Sequence, residues 1–222
     1  MRGANFPSFE QLDNWSVNRS GDYEVIHQSL YDFQTYAQAG QTSLNFYSVP
    51  KGQSSKTIAD TNLTLAGVLP APIHFVVQSI EVYFIPAPLP VTVETAADLT
   101  VVVPDYTNDV FEVWESGSLD FVIGSKSYLQ EAPIGRFPQK TRMNVDTSSA
   151  LQVKQAIAAD QHWALASDYA AFAGRPYWID PWLLLVPTQN FSVELLWPTA
   201  VAISAAARIG VVMDGLLYRL SQ

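Results

Sequence analysis

The side chains that most often do chemistry in proteins are few in this chain and are spread along it. Its three histidines, His27, His74 and His162, lie far apart, and no H-E-x-x-H or H-x-H pair that would hold zinc is present. His74 falls in a long apolar run, so we interpret it as a packed residue rather than a ligand. The sequence therefore predicts no metal site and no cofactor.

Nucleophilic catalysis has no recognisable motif. The chain has no cysteine, which removes thiol nucleophiles, disulfides and thiolate metal ligands together. It has neither a G-x-S-x-G elbow nor a phosphate-binding G-x-x-x-x-G-K-[ST] loop, although a Ser-His-Asp triad needs no sequence proximity and stays open. A glycan hydrolase with two carboxylates is the remaining enzymatic alternative, but no pair stands out. We predict that the protein is not an enzyme.

Two polar clusters have the composition of binding loops. Asp105 and Asp109 bracket a short loop that has oxygen ligands for calcium, although such residues more often form a solvated turn. Arg136, Lys140 and Arg142 form a basic loop that is a candidate for contact with phosphate. Three charges in a loop are more often simply solvated, so this site is a hypothesis.

An aromatic-rich stretch, residues 160–182, is the other candidate for binding. Trp163, Tyr177, Trp178 and Trp182 are its candidate site residues, because aromatic rings stack on sugars and anchor protein interfaces. Packing into the protein's own core is the ordinary alternative. We interpret the stretch as an ordered, partly helical insertion that supplies a glycan site or an interface.

Charge and composition narrow the class of partner. The formal net charge of −9 opposes strong binding to nucleic acid. Hydrophobic residues make up 48% of the 222 residues, which excludes disorder, and only 15% are charged, below the ~25% of a typical domain. Low surface charge is typical of subunits that cover one another, so we predict a homo-oligomer, with a large core and uncharged loops as the alternative.

Hydrophobic alternation indicates strands. Residues 190–197 alternate apolar and polar side chains with period two, as a half-buried strand does. Residues 73–85 have apolar side chains on both faces of the predicted strand, which indicates that it is covered on both sides. This run ends at Pro86, Pro88 and Pro90, which predict an extended connector.

The same reasoning extends along the chain. The predicted strands are 25–33, 41–48, 61–69, 73–85, 99–103, 110–114, 119–123, 182–186, 190–197 and 200–220, the last broken near Asp214-Gly215. A short helix is predicted from Asp146 or Thr147 through Ala158. The fold class is thus all-β: an antiparallel β-sandwich, most closely a single jelly roll with one or two short helices in insertions. Residues 1–22 form an N-terminal arm and residues 23–222 the domain. No segment reads as membrane-spanning.

Three patches resemble structural proteins of bacterial viruses. They are TNLTLAGVLP at 61–70 with Phe75 after it, IGRFP at 134–138, and IGVVMDGLLYR at 209–219. The resemblance points to jelly-roll capsid proteins of tailless icosahedral double-stranded DNA phages. Double jelly-roll coat proteins need a longer chain, so it implies a single roll.

The function implied by this resemblance is that of a coat subunit. We expect a virion protein that assembles with copies of itself and with other virion proteins. Contact with an internal membrane of the virion is a further possibility. The alternative is a jelly-roll spike, fibre or decoration protein that binds a host glycan or receptor.

Overall fold

The computed structural model describes residues 23–85, 106–137, 139–140, 151–154, 162–165 and 176–220, and the structural statements below concern these residues. Strands dominate them. The strands are β1 (Tyr23–Tyr36), β2 (Ser43–Phe46), β3 (His74–Ile85), β4 (Ser118–Ile123), β5 (Lys126–Glu131), β6 (Gln139–Lys140), β7 (Leu151–Lys154), β8 (His162–Leu165), β9 (Tyr177–Leu185), β10 (Phe191–Leu196) and β11 (Ala207–Leu220). One α-helix, α1 (Tyr106–Ser116), and a 3₁₀ turn at Ile134–Arg136 accompany them.

The strands form two main sheets. The long sheet has the order β1-β11-β3, and the far edge of β3 pairs with β9 along one half and with β6 along the other. The short sheet has the order β2-β10-β4-β5. All pairings are antiparallel except that of β3 with β6, and β7 pairs with β8 as a separate ladder. The predicted all-β, antiparallel, sandwich-like class is therefore confirmed.

The core lies between the two sheets. Alternate residues of β10 (Phe191, Val193 and Leu195) are buried against it, as the predicted alternation requires. The long sheet contributes alternate residues of β3 and β11 to the same hydrophobic cluster. Burial of these faces removes apolar surface from water and is the main force that holds the sheets together.

The prediction that β3 is covered on both sides is confirmed. Its inward residues belong to the main core, and its outward residues His74, Val76, Ser79 and Glu81 are buried as well. A strand with both faces buried needs no strict polar alternation, which explains why apolar residues occur at both odd and even positions, with Gln78, Ser79 and Glu81 interspersed among them.

The helix α1 corrects one sequence prediction. Residues 110–114 were expected to form a strand, but Val110, Val113 and Trp114 are the buried residues of a helix. Their spacing of three and four places them on one helical face. The Nε1–H of Trp197 donates to the Val113 carbonyl at 3.0 Å. Because Trp197 directly follows β10, this bond holds α1 against that end of the strand.

Residues 61–69 are a loop rather than the predicted strand. Gly67 has a φ of +61°, a conformation that side chains with a Cβ rarely adopt. Its N–H donates to the Tyr47 carbonyl at 2.7 Å, and its carbonyl accepts from the Phe191 N–H at 2.8 Å. These bonds tie the loop to β10 without making it a strand of the sheet.

Two further predictions change. Residues 151–154 form a strand where a helix was predicted. The described parts of 160–182 contain β8 and the start of β9, and the rest of this stretch, which was predicted to be partly helical, lies outside the described residues. β11 is continuous and carries a register irregularity between Asp214 and Gly215, where a break was predicted. The arm at 1–22, the connector at 86–90 and the strand at 99–103 lie outside the described residues.

Candidate functional site

One predicted aromatic and one predicted basic residue meet at a single carboxylate. The Tyr177 hydroxyl donates to Glu131 Oε1 at 3.1 Å, and the Arg136 guanidinium forms an ion pair with Glu131 Oε2. The Tyr177 ring lies 4.8 Å from that of Phe137. This cluster joins the end of β5 in the short sheet to the start of β9 in the long sheet, so it closes one side of the sandwich.

The same contacts change the chemistry of these groups. Burial and the Glu131 carboxylate both raise the pKa of the Tyr177 phenol, so it remains a hydrogen-bond donor at neutral pH. Arg136 is about half exposed, and its charge is balanced by Glu131. Lys140 ends β6 beside Tyr83, and only its backbone is described. Arg142 lies outside the described residues, so a phosphate contact by this loop stays a prediction.

The predicted tryptophans occupy three different environments. Trp178 lies opposite Ser79 on the outer face of the long sheet and is 60% exposed. Trp182 is partly buried and packs in an outer cluster with Val76 and Tyr218. Trp163 lies in β8 and is paired with Val153, and the structure describes only its backbone. Among the tryptophans of this set whose side chains are described, Trp178 is therefore the one that is open to a ligand.

The outer face of the long sheet is rich in aromatic side chains and also holds buried polar residues, such as Ser79 and Glu81. Besides the Trp182 cluster, the Phe33 ring covers Gly210 and lies edge-on to Tyr83, with ring centroids 5.9 Å apart. The Arg208 guanidinium stands 4.6 Å from the Phe33 centroid, within the range of a cation–π contact. The Tyr83 hydroxyl donates to the buried Glu81 carboxylate at 2.8 Å.

The outer face of the short sheet has the opposite character. On β2, β10 and β4 its side chains are mostly hydroxyl, amide and carboxylate groups: Ser43, Asn45, Ser118, Asp120, Ser192 and Glu194, with Val122 and Leu196 as the exceptions on these three strands. The Asn45 amide donates to Glu194 at 3.3 Å, and the Ser127 hydroxyl donates to Asp120. Such a face is stable in contact with water.

A shallow groove of about 330 Å³ lies beside α1. Its lining is Phe111, Glu112, Glu115, Ser116 and Val201. Phe111 is 60% exposed, which is unusual for a phenylalanine in a helix whose other face is buried. The groove thus combines an exposed ring with two carboxylates.

A buried polar anchor was missed by sequence reasoning. The Asp32 carboxylate is fully buried on the inner side of β1, accepts from the Tyr47 N–H at 2.7 Å and forms an ion pair with Lys56. The Tyr47 hydroxyl lies within hydrogen-bond distance of the Leu30 and Val211 carbonyls, at 3.1 and 3.0 Å. The loop after β2 is thereby fastened to the two strands β1 and β11.

Burial dominates the electrostatics of this anchor. It raises the pKa of Asp32 above the usual carboxyl value, although Lys56 and the Tyr47 N–H act in the opposite direction. Burial, with a smaller contribution from Asp32, also raises the pKa of the Tyr47 phenol. A sequence signal existed, because Asp32 has the same parity in β1 as the buried Leu30 and Tyr36.

Residues 106–109 belong to α1 rather than to the turn that was considered, and Asp105 lies outside the described residues. Asp109 lies in α1, is buried, and accepts from the Ser204 N–H at 2.9 Å and from its hydroxyl at 3.1 Å. Its carboxylate is used to hold the segment before β11. His74 is buried, as the packed interpretation predicted.

Two general features of the described residues bear on ligands. No three of their histidine, aspartate or glutamate side chains lie close enough together to hold a metal ion. None of the helices among them is both long and apolar enough to cross a membrane.

Comparison with known proteins adds no relative. No protein-family model, curated protein or solved structure matches the chain. The functional argument therefore depends on the strand pairing and on the surfaces of the chain itself.

Proposed function

We propose that the protein is a viral structural protein: a self-assembling capsid subunit built on a single jelly roll. The observation that carries the proposal is the pairing of eight strands. In chain order these are β1, β2, β3, β4, β5, β9, β10 and β11. The first pairs with the eighth, the second with the seventh, the third with the sixth and the fourth with the fifth.

This nested pairing supports the jelly-roll assignment. A jelly roll is one long antiparallel ribbon of eight strands that is wound into two sheets. Winding brings the first and eighth strands beside the third and sixth, as in the order β1-β11-β3-β9, and the second and seventh beside the fourth and fifth, as in β2-β10-β4-β5. The short strands β6, β7 and β8 lie within the connection between the fifth and sixth strands of the ribbon.

The surfaces favour assembly among the functions that a jelly roll supports. This fold serves both viral capsids and lectins, so the fold alone does not decide. The chain is low in charge, and it exposes Phe111, Tyr128 and Trp178 at three separate places on the sandwich. Exposed aromatic residues on a weakly charged surface are typical of protein interfaces. Its location would be the virion, with copies of itself and other virion proteins as partners.

The proposal is tested by measuring mass and shape together. Purified protein is examined by light scattering and by negative-stain imaging over a series of salt concentrations. We expect rings, capsomer-sized oligomers or closed shells whose mass grows with concentration. A strict monomer at high concentration in every salt would overturn the proposal.

A second function has one observation in its favour. Trp178 presents an open indole on the long sheet, and jelly rolls include glycan-binding proteins. A spike, fibre or decoration protein would form a discrete oligomer that does not grow. Binding to a glycan array that is lost in Trp178→Ala, but kept in Tyr128→Ala as the control for an exposed aromatic, would favour this function. An array without hits would count against it.

A further inference from the structure

Two exposed surfaces lie at opposite ends of the sandwich. The groove beside α1 is fixed at the Trp197 end of β10 by the bond from Trp197 to Val113. The turn between β4 and β5 is fixed at the other end of β10, where the Gly124 N–H donates to the Asn190 carbonyl at 2.7 Å. A strand of six residues such as β10 spans about 17–20 Å, so the two surfaces of one copy are well separated.

The groove has side chains that suit a ligand with a cation next to an apolar group. Phe111 supplies an exposed ring, and Glu112 and Glu115 supply carboxylates. The last turn of α1 contains no basic residue. Because the carbonyl end of a helix carries partial negative charge, Glu115 adds a like charge there, and a cation in the groove would relieve the repulsion.

The turn between β4 and β5 offers the complementary groups. Residues 124–128 are all exposed, and they include Lys126 and the 51% exposed Tyr128. We call these five residues the hairpin tip. Its ammonium group matches the groove carboxylates, and its phenol ring is suited to an edge or offset contact with Phe111.

We infer that the hairpin tip of one copy docks into the α1 groove of a second copy, head to tail. This inference rests on the proposed function and names the contact through which the subunits would associate. Since each copy carries a tip at one end and a groove at the other, every added copy leaves one of each unfilled. Such heterologous contacts form a ring where the rotation between copies closes and an open filament where it does not.

The test uses charge reversal with rescue. Glu115→Lys places a lysine in the groove opposite Lys126 of the tip, beside the remaining Glu112, and Lys126→Glu gives a groove and a tip that are both acidic. Each variant alone should raise the dissociation constant of self-association about tenfold or more, because like charges then meet in the contact. An equimolar mixture of the two variants, and the double variant, should both recover association, since opposite charges meet again. Lys51→Glu, which makes the same charge change on an exposed lysine elsewhere, should associate like the unmodified protein.

The outcomes separate this contact from the function. If the unmodified protein associates and both single variants associate equally well, the docking contact is wrong and the coat function stands. If the single variants fail but neither the mixture nor the double variant recovers, the pairing of these two groups is wrong. If the unmodified protein stays monomeric, the coat function itself is overturned. Both positions are exposed, and a lysine in the last turn of α1 favours the helix, so folding should be kept.

Discussion

The two sheets of the sandwich share one core but differ on their outer faces. The short sheet shows water a set of serine, asparagine, aspartate and glutamate side chains that bond to one another. The long sheet carries Phe33, Tyr83, Tyr218 and Trp182 on its outer face, and four outward residues of β3 are buried: His74, Val76, Ser79 and Glu81. One sheet therefore presents a polar face to water, and the other carries a largely covered layer that is rich in aromatic rings.

The difference shows how side-chain alternation along a strand reports whether the outer face of its sheet is exposed to water. Strict alternation in β10 and β4 identifies a sheet with one wet face. Apolar residues at both odd and even positions of β3 identify a strand that is covered on both faces. Substitutions of the same chemical type should therefore have different effects on the two sheets.

The largest expected effect comes from the buried carboxylate of the long sheet. Lys56→Met removes the partner of Asp32 and leaves a buried charge uncompensated, so we expect the free energy of unfolding at pH 7 to fall by about 3 kcal/mol. Lys51→Met, on an exposed lysine of the same loop, should change it by less than about 0.5 kcal/mol. Urea unfolding measures both.

The loss should depend on pH in a definite direction. Burial raises the pKa of Asp32 above its value in the unfolded chain, and removal of Lys56 raises it further. A carboxyl of this kind costs nothing below its unfolded pKa, where it is protonated in both states, and destabilises the fold increasingly as pH rises through the raised folded pKa. The deficit of Lys56→Met should therefore be small near pH 4 and full at pH 7. A deficit that is constant with pH would mean that Lys56 acts through packing alone.

A matched pair of isosteric substitutions tests the two outer faces directly. Val76 is 2% exposed on the long sheet, and Val122 is partly exposed on the short sheet between Ser127 and Ser192. Val76→Thr buries a hydroxyl among apolar side chains, so we expect a loss of about 2 kcal/mol in the free energy of unfolding. Val122→Thr should cost less than about 0.5 kcal/mol. Equal losses would remove the distinction between the faces.

A smaller effect is expected at the contact of Phe33 with Gly210. A Cβ at residue 210 would stand 2.1 Å from the Phe33 ring, so Gly210→Ala must push the ring from its place between Tyr83 and Arg208. We expect a net loss of about 1 kcal/mol in the free energy of unfolding. Ser192→Ala, on the polar outer face and also on a central strand, is the control and should be nearly neutral. Thermal melts of both variants would decide, and a stabilised Gly210→Ala would show that the ring is free to move.

Much of the fold could be predicted from side-chain alternation. The period-two pattern at 190–197 and the two-sided apolar run at 73–85 correspond to β10 and β3, because burial on one or both faces leaves a direct trace in residue type. The predicted ranges at 25–33 and 119–123 also match β1 and β4 closely.

The errors have physical causes. The residues Val110 to Trp114 are rich in β-favouring types, but burial of Val110, Val113 and Trp114 on one helical face prevails over propensity. The loop at 61–69 is apolar because Leu63 and Leu69 enter the core, and no pattern in the sequence shows the left-handed turn at Gly67. The Asp32–Lys56 pair joins residues whose proximity depends on the path of the loop between them, which alternation does not encode.

The candidate surfaces were only partly accessible from sequence. Residue type singled out Trp178, but only the pairing of β9 with β3 shows that its ring is open while Trp182 is packed. Arg136 was predicted as part of a basic loop that could contact phosphate, and only the structure shows that it forms an ion pair with Glu131. The groove at α1 could not be predicted, because its helix was read as a strand.

Hydrogen exchange of dilute and concentrated protein, read by mass spectrometry, tests the central claim most directly. If the protein is a self-assembling subunit with the proposed contact, peptides that cover 109–116 and 124–130 should gain protection as concentration rises, while the loop at 51–60 should not change. No gain of protection in any peptide across the concentration range would contradict self-assembly. A gain confined to other peptides would contradict the contact between the α1 groove and the hairpin tip.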